Sequence, residues 1–179
     1  MLNMATPGYI ETTVQLMREH SVEKFAEVGV FQGQMMCKIL GRIKDLEYWA
    51  IDQWKSVETG RLAEYPKDKW HSAYISVCRS MIDNSNIRVI KLPSVEAATL
   101  FPDGYFDMVY IDASHLYDDV LADIIAWGPK VRKGGLLGGH DYYTKSHGDS
   151  WPKMVVDRFI GVDKLLPLPP ESTIWMTLR

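Results

Sequence analysis

No apolar run in this chain approaches the ~20 residues needed to span a bilayer, and no basic stretch followed by a cleavage site marks a secretory leader. A cytoplasmic protein with no membrane partner is therefore expected. Cysteine is scarce. Cys37 and Cys78 lie in apolar helical contexts, so buried, reduced thiols are expected in place of a disulfide or a zinc site. Lysine and arginine form no run and the formal net charge is −3, which argues against nucleic acid held on a broad basic face. Internal repeats and low-complexity tracts are missing too. At 179 residues the chain is expected to be one domain, 1–179, able to bury roughly 70% of its unfolded surface.

The three-glycine fingerprint of dinucleotide binders, G-x-G-x-x-G, is also absent. In its place stands FAEVGVFQG, Phe25 to Gly33, with the spacing E-x-G-x-x-x-G from Glu27 through Gly29 to Gly33. Two apolar residues, an acid and two glycines, followed at once by the amphipathic segment Gln34 to Ile43, read as a buried strand turning sharply into a helix. Glycine serves where the backbone takes positive φ or must approach a ligand closely. A carboxylate two residues before the first glycine suits a ligand bearing positive charge. An ordinary strand-to-helix corner would also accommodate this pattern.

Helix and strand then alternate. Pro7 to His20 reads as a lead-in helix, Val22 to Val28 as the first strand, and Leu46 to Asp52 as the second. Residues 53–67 show no clean period. Asp68 is placed to cap a helix running towards Met81; Ile87 to Leu92 is a third strand, and Ser94 is placed to cap a short helix to Leu100. Phe106 to Asp112, Tyr117 to Trp127, Leu136 to His140 and Trp151 to Ile160 give strand, helix, strand and helix. Two last strands are expected around Lys164 to Leu168 and Ile174 to Leu178. Trp127, Trp151 and Trp175 are expected in the core or between helices.

Strands separated by helices predict an α/β fold with a doubly wound, Rossmann-like, mostly parallel sheet. Ligands of such sheets bind beyond the carboxyl ends of the strands, where strand order reverses. The residues delivered there are Glu27 and Gly29, Asp52, Ser94, Asp112, and His140 with Asp141. Carboxylates crowded on one rim repel, and a cationic ligand or a metal ion would relieve them.

The runs EVGVFQG (Glu27 to Gly33), FDMVYIDASH (Phe106 to His115) and DIIAWGPKVRKGGLLGGHDY (Asp123 to Tyr142), with Asp52 closing the second strand, resemble the class I S-adenosylmethionine-dependent methyltransferases. The last two resemble the small O-methyltransferases of sugars and natural products. The resemblance covers most of residues 22–142, the cofactor-binding core, between a lead-in helix in 1–20 and a C-terminal helix and strand pair in 143–179. It implies a seven-stranded sheet with an antiparallel C-terminal strand, S-adenosylmethionine as cofactor, and methyl transfer to a hydroxyl of a small molecule. It also implies cofactor roles for Glu27, Gly29, Gly33, Asp52, Ser94 and Asp112. Asp52 would bond the ribose hydroxyls; Ser94 would border the adenine, unless it is a plain helix cap.

For the chemistry, Asp112 and His115 are the catalytic candidates, with His115 a general base because its ordinary pKa lies near neutrality. Capping the next helix is the competing role for His115. Some related enzymes hold a magnesium-like ion through an acid after the fourth strand and an acidic pair after the fifth. Asp112 and Asp141 match, but His140 stands in place of a carboxylate, and imidazole is a poor ligand for a hard cation. Tyr142, Tyr143, His147 and the aromatics of residues 54–71 are candidate walls for an acceptor pocket. A second copy packed on the lead-in helix, giving a homodimer, stays open. So do a nicotinamide-dependent oxidoreductase, disfavoured by the glycine pattern and the lack of a Tyr-x-x-x-Lys pair, and a non-catalytic module that only binds S-adenosylmethionine.

Overall fold

The computed structural model describes residues 8–56, 65–143 and 151–179. The expected pocket residue His147, Arg61 and most of the unassigned segment after Asp52 lie outside the described residues. Among those described, the elements in order are α1 (Tyr9–Glu19), β1 (Lys24–Val28), α2 (Gln34–Leu40), β2 (Glu47–Asp52), α3 (Lys67–Asp83), β3 (Ile87–Lys91), α4 (Ser94–Ala98), β4 (Phe106–Ile111), α5 (Tyr117–Trp127), β5 (Val131–Gly139), α6 (Trp151–Phe159) and β6 (Trp175–Leu178). Among the described residues no helix is long and apolar enough to cross a membrane.

The sheet runs β3-β2-β1-β4-β5-β6, parallel except for β6, which pairs antiparallel with β5. It has six strands among the described residues, where seven were expected. The segment Lys164 to Leu168 makes a single antiparallel bridge, Leu165 to Thr177. Pro167, Pro169 and Pro170 account for this, because proline offers no N–H to a ladder.

Side-chain alternation along the strands separates two cores. Phe25, Tyr48, Met108, Tyr110 and Leu136 face Ile10, Met17, Met36, Ile39 and Val77 from the first three helices. Ala26, Val28, Ile51, Val109 and Ile111 face Ala97, Val120, Ile124, Trp127 and Val155 from the last three. Trp127 and Trp175 are buried as expected. Trp151 is 52% exposed and packs edge-on against Tyr117, between α6 and α5 and outside the core, the second of the two expected places. Cys37 is exposed and Cys78 half-buried, both free thiols. The inward stripe of α2 is Met35, Met36, Ile39 and Leu40, which turns Cys37 outward.

Order reverses between β1 and its neighbour β4, and there the chain comes closest to itself. Gly29 leaves β1 at φ +93°, and a Cβ on it would lie 2.1 Å from the carbonyl oxygen of Asp112. Only glycine permits that crossing.

Candidate active site

The turn from β1 into α2 is tied down by the acid that ends β2. Asp52 Oδ2 accepts the N–H groups of Val30 (3.0 Å) and Phe31 (2.8 Å), and Oδ1 accepts that of Trp54 (2.7 Å). Burial pushes its pKa up, and the three N–H bonds pull it back without cancelling the rise. Trp54 Nε1 in turn donates to the Phe31 carbonyl at 2.7 Å. Phe31 and Trp54 both sit at positive φ, +46° and +43°, and Gly33 enters α2 at +75°. Backbone held in such regions collects at ligand sites because the surroundings must over-determine it. Asp52, Gly29 and Gly33 therefore act on one turn.

Glu27 lies under that turn, 2% exposed, with the Tyr48 hydroxyl donating to its carboxylate. Burial drives its pKa well up; the Tyr48 bond lowers it, and the nearby charges of Asp112 and Asp52 raise it again. Tyr110, its register partner on β4, has a fully buried hydroxyl with no hydrogen-bond partner among the described residues. Tyr9, on the lead-in helix, feels the charges of Asp112 and Glu27 and sets its ring edge against His140 at 4.9 Å. Reading the chain in order missed Tyr9. The signal was its place at the start of an amphipathic helix, which nothing local links to the strand ends.

Beyond β4 and β5 three side chains converge. His115 Nε2 is 2.7 Å from Asp141 Oδ2 and 3.7 Å from Asp112 Oδ1. One ligand atom each from Asp112, His115 and Asp141 lie within 4.8 Å of one another. Hydrogen bonds to Asp112 and Asp141 lift the His115 pKa to about 10 against the opposing effect of burial. At neutral pH this imidazole is protonated. Burial would raise the Asp141 pKa, but His115 and His140 together hold it well below the usual carboxylate range. His140 does not reach into the cluster. Its Nδ1 is 3.0 Å from Asp141 Oδ1 and its Nε2 3.0 Å from Thr173 Oγ1. Burial would lower the His140 pKa, but the Asp141 hydrogen bond and the charges of Asp112 and Asp141 raise it on balance.

Helix capping does not occupy His115. Among the described residues no side chain caps α5: Ser114 accepts the N–H of Leu116, the residue before the helix, and donates to Asp119. Ser94 is the first residue of α4, not its cap, and its hydroxyl donates to Asp123 while accepting the Trp127 indole N–H. Asp68 likewise falls in the first turn of α3, which begins at Lys67 after Pro66. Of the candidate pocket aromatics, Tyr142 is buried with its hydroxyl on Asp157, and Tyr143 is exposed.

A known family, described as a methyltransferase domain, matches residues 26–142, well over half of the chain. The chain belongs to that family. The matched span opens inside β1 and closes just past Asp141, so it contains the tied turn and the three converging side chains. Over 106 residues the chain is also 27% identical to the uncharacterized protein y4gI of Sinorhizobium fredii. That match spans 57% of this chain but 11% of the length of the curated relative.

Among solved structures, the chain is similar to the O-methyltransferase NovP (TM-score 0.63, 19% identity, 95% of this chain and 77% of that one). It is similar to the SAH-bound Podospora anserina methyltransferase PaMTH1 (0.63, 12%, 95% and 77%). It also resembles CalS11, a TDP-rhamnose 3′-O-methyltransferase (0.59, 13%, 93% and 77%). At these identities the likeness is one of fold.

Proposed function

We propose that this domain transfers the methyl group of S-adenosylmethionine to a hydroxyl of a small molecule. The observation that carries the reading is the placement of the Asp112–His115–Asp141 cluster beside the tied turn of Glu27, Gly29, Gly33 and Asp52, at the switch point between β1 and β4. A rim so rich in acids fits a cofactor with a sulfonium and an ammonium group. Bound S-adenosylmethionine supplies an electrophilic methyl group and leaves as S-adenosylhomocysteine.

The chain's own residues have the remaining work. Asp52 holds the turn through three backbone N–H groups and presents the one lone pair left on Oδ1 to a ribose hydroxyl. Gly29 lets the end of β1 pass against the Asp112 and Ala113 backbone, and Gly33 fits beside the Met36 and Val77 side chains where α2 begins. Ser94 follows β3 with its hydroxyl already shared between Asp123 and Trp127 of α5, so any part it takes beside the adenine falls to its backbone. The acceptor hydroxyl docks against Asp112 and Asp141, whose carboxylates accept its hydrogen bond and take up its proton as the new bond forms. We assign the proton to Asp112, since His115 already carries one in this arrangement. The donor set also fits a divalent ion held by Asp112 and Asp141, which would lower the acceptor's pKa. NovP and CalS11, as O-methyltransferases, agree with a hydroxyl acceptor, and a sugar ring is the acceptor class we favour.

The test is a thermal shift with S-adenosylhomocysteine. A ligand at 100 times its Kd stabilises by about 2.7 kcal/mol. That shift is expected in the wild type and lost in Asp52→Ala. No shift in a folded wild-type protein would refute the reading, and stabilisation by reduced nicotinamide dinucleotide would favour an oxidoreductase.

A further inference from the structure

Beside the Asp112–His115–Asp141 cluster stands an apolar wall that takes no part in proton transfer. We propose that Leu116, Tyr117 and Trp151 form the acceptor-selecting wall of this site, and that it takes an uncharged acceptor with a flat apolar ring next to the reacting hydroxyl. The inference rests on the methyltransferase reading of this crevice and deepens it.

One cleft joins the polar and apolar halves. Asp112, His115 and His140 line it together with Val120, Pro152 and Trp175. The polar half comes from just beyond β4 and β5, the apolar half from α5, α6 and β6. Leu116 and Tyr117 follow His115 directly, and Trp151 precedes Pro152 at the start of α6. Tyr117 sets its ring edge-on to Trp151 (centroids 6.0 Å apart) and to Phe159 (6.5 Å), so α5 and α6 meet through it. Leu116 and Trp151 are nevertheless 53% and 52% exposed. Aromatic and aliphatic side chains left open where they continue the apolar half of a polar cleft mark a binding surface, because burying them under a ligand is favourable.

The wall has a fixed mount. Tyr142, which follows Asp141, is buried, and its hydroxyl donates to Asp157 of α6. The Lys153 ammonium bonds the same carboxylate and lies 5.2 Å from the centre of the Tyr142 ring. These contacts tie α6 to the chain that carries Asp141, so Trp151 and Asp141 share one frame. Charge sets the rest of the selection. Among the described residues no lysine or arginine lines the cleft, and the protonated His115 is already shared by Asp112 and Asp141. A phosphate-bearing acceptor would bring more negative charge to this rim without a cationic partner to receive it. A neutral ring meets no such penalty.

The test uses protein loaded with S-adenosylhomocysteine and, as probes, phenyl β-D-glucoside, methyl β-D-glucoside and thymidine diphosphate glucose. Calorimetric titration gives the Kd of each for wild type, Trp151→Ala and Trp151→Phe, with folding checked by circular dichroism. Wild type should bind the phenyl glucoside at least about tenfold more tightly than the methyl glucoside, which lacks the ring. Trp151→Ala should lose that preference while keeping its affinity for the methyl glucoside and its stabilisation by S-adenosylhomocysteine. Trp151→Phe should retain most of the preference, and the sugar nucleotide should bind more weakly than the phenyl glucoside. Equal affinity for the two glucosides, binding of neither, a preference that survives in Trp151→Ala, or a sugar nucleotide held as tightly as the phenyl glucoside would each overturn the inference. So would a wild-type dimer that Trp151→Ala dissociates in analytical ultracentrifugation, because a second copy would then cover the wall. Stabilisation of the wild type by S-adenosylhomocysteine separates the two ideas: if it is present and the probes do not discriminate, only the wall fails; if it is absent, the proposed function fails.

Discussion

The two rims of this sheet treat their carboxylates in opposite ways. At the amino-terminal rim, Asp107 accepts the N–H groups of Glu23 (3.0 Å) and Lys24 (2.8 Å) on one oxygen and the Arg132 guanidinium on the other. Burial acts to raise its pKa, but these partners hold it below the ordinary value. At the carboxyl-terminal rim, Glu27 and Asp52 stay raised by burial, and Tyr110 buries a hydroxyl without a partner beside them. One rim is finished by the chain itself. At the other, burial keeps Glu27 and Asp52 above their ordinary values despite their hydrogen bonds, and a cationic ligand would complete it. That contrast separates a structural aspartate from a binding one better than sequence position does, because both kinds lie at strand ends.

The largest effect should come from breaking the crossing that builds the second rim. Gly29→Ala adds a Cβ 2.1 Å from the Asp112 carbonyl oxygen at a φ of +93°. Roughly 3 kcal/mol or more of stability should be lost, together with the response to S-adenosylhomocysteine. Denaturant unfolding with and without that ligand measures both.

Next comes a buried acid outside both rims, Asp123, whose pKa burial lifts to about 6 although Ser94 donates to it. In the unfolded chain the group ionises near the ordinary value of ~3.9. Between about pH 4 and 6 the native state therefore holds a proton that the unfolded state has lost. Stability is highest below that window and falls as pH rises through it, by up to roughly 3 kcal/mol. Asp123→Asn keeps an oxygen for the Ser94 hydroxyl and should show no such fall, so the variant should be the more stable protein at pH 8. If wild type and variant run parallel from pH 4 to 8, the acid is not held neutral. Its buried carboxyl would then be as well compensated as Asp107.

Much of this contrast was legible in the chain. The E-x-G-x-x-x-G run specified a turn at Gly29 and Gly33, and period-two alternation put Asp52 and Asp112 at strand ends, because these are short-range facts of backbone and burial. The seventh strand was over-read: Pro167, Pro169 and Pro170 were in view and speak against a ladder there. Cys37 was misplaced for want of a helical wheel, since the stripe Met35, Met36, Ile39 and Leu40 excludes it. Tyr9 and Thr173 could not have been read at all. They come from the two ends of the chain and meet His140 only through tertiary packing. The different fates of His115 and His140 also depend on which side chain reaches whom across the sheet.

A smaller loss tests the finished rim. Asp107→Ala strands the Glu23 and Lys24 N–H groups and unpairs Arg132, but water reaches that edge of the sheet. About 2 kcal/mol should be lost in chemical unfolding, with cofactor affinity unchanged.

The smallest effect belongs to the mirror substitution at the other rim, Asp112→Asn. Its side chain accepts no backbone N–H bond like those at Asp107, and its ion pair with His115 is long, at 3.7 Å, with the imidazole 56% exposed. Asp112 is the first cause of the raised His115 pKa, but at this length and exposure solvent screening limits what the pair adds to stability. Against that small loss, removing the charge lowers the cost of ionising Glu27, which feels Asp112 as a like charge. The two terms oppose, and the ligand-free protein should keep its stability to within about 0.5 kcal/mol. Methyl transfer should nevertheless collapse, because the amide cannot take up the acceptor's proton. A stable but inactive Asp112→Asn beside a destabilised but active Asp107→Ala would place binding at one rim and structure at the other. If Asp112→Asn instead unfolds as readily as Asp107→Ala, the acids of the carboxyl rim hold the fold together and the contrast between the rims is lost.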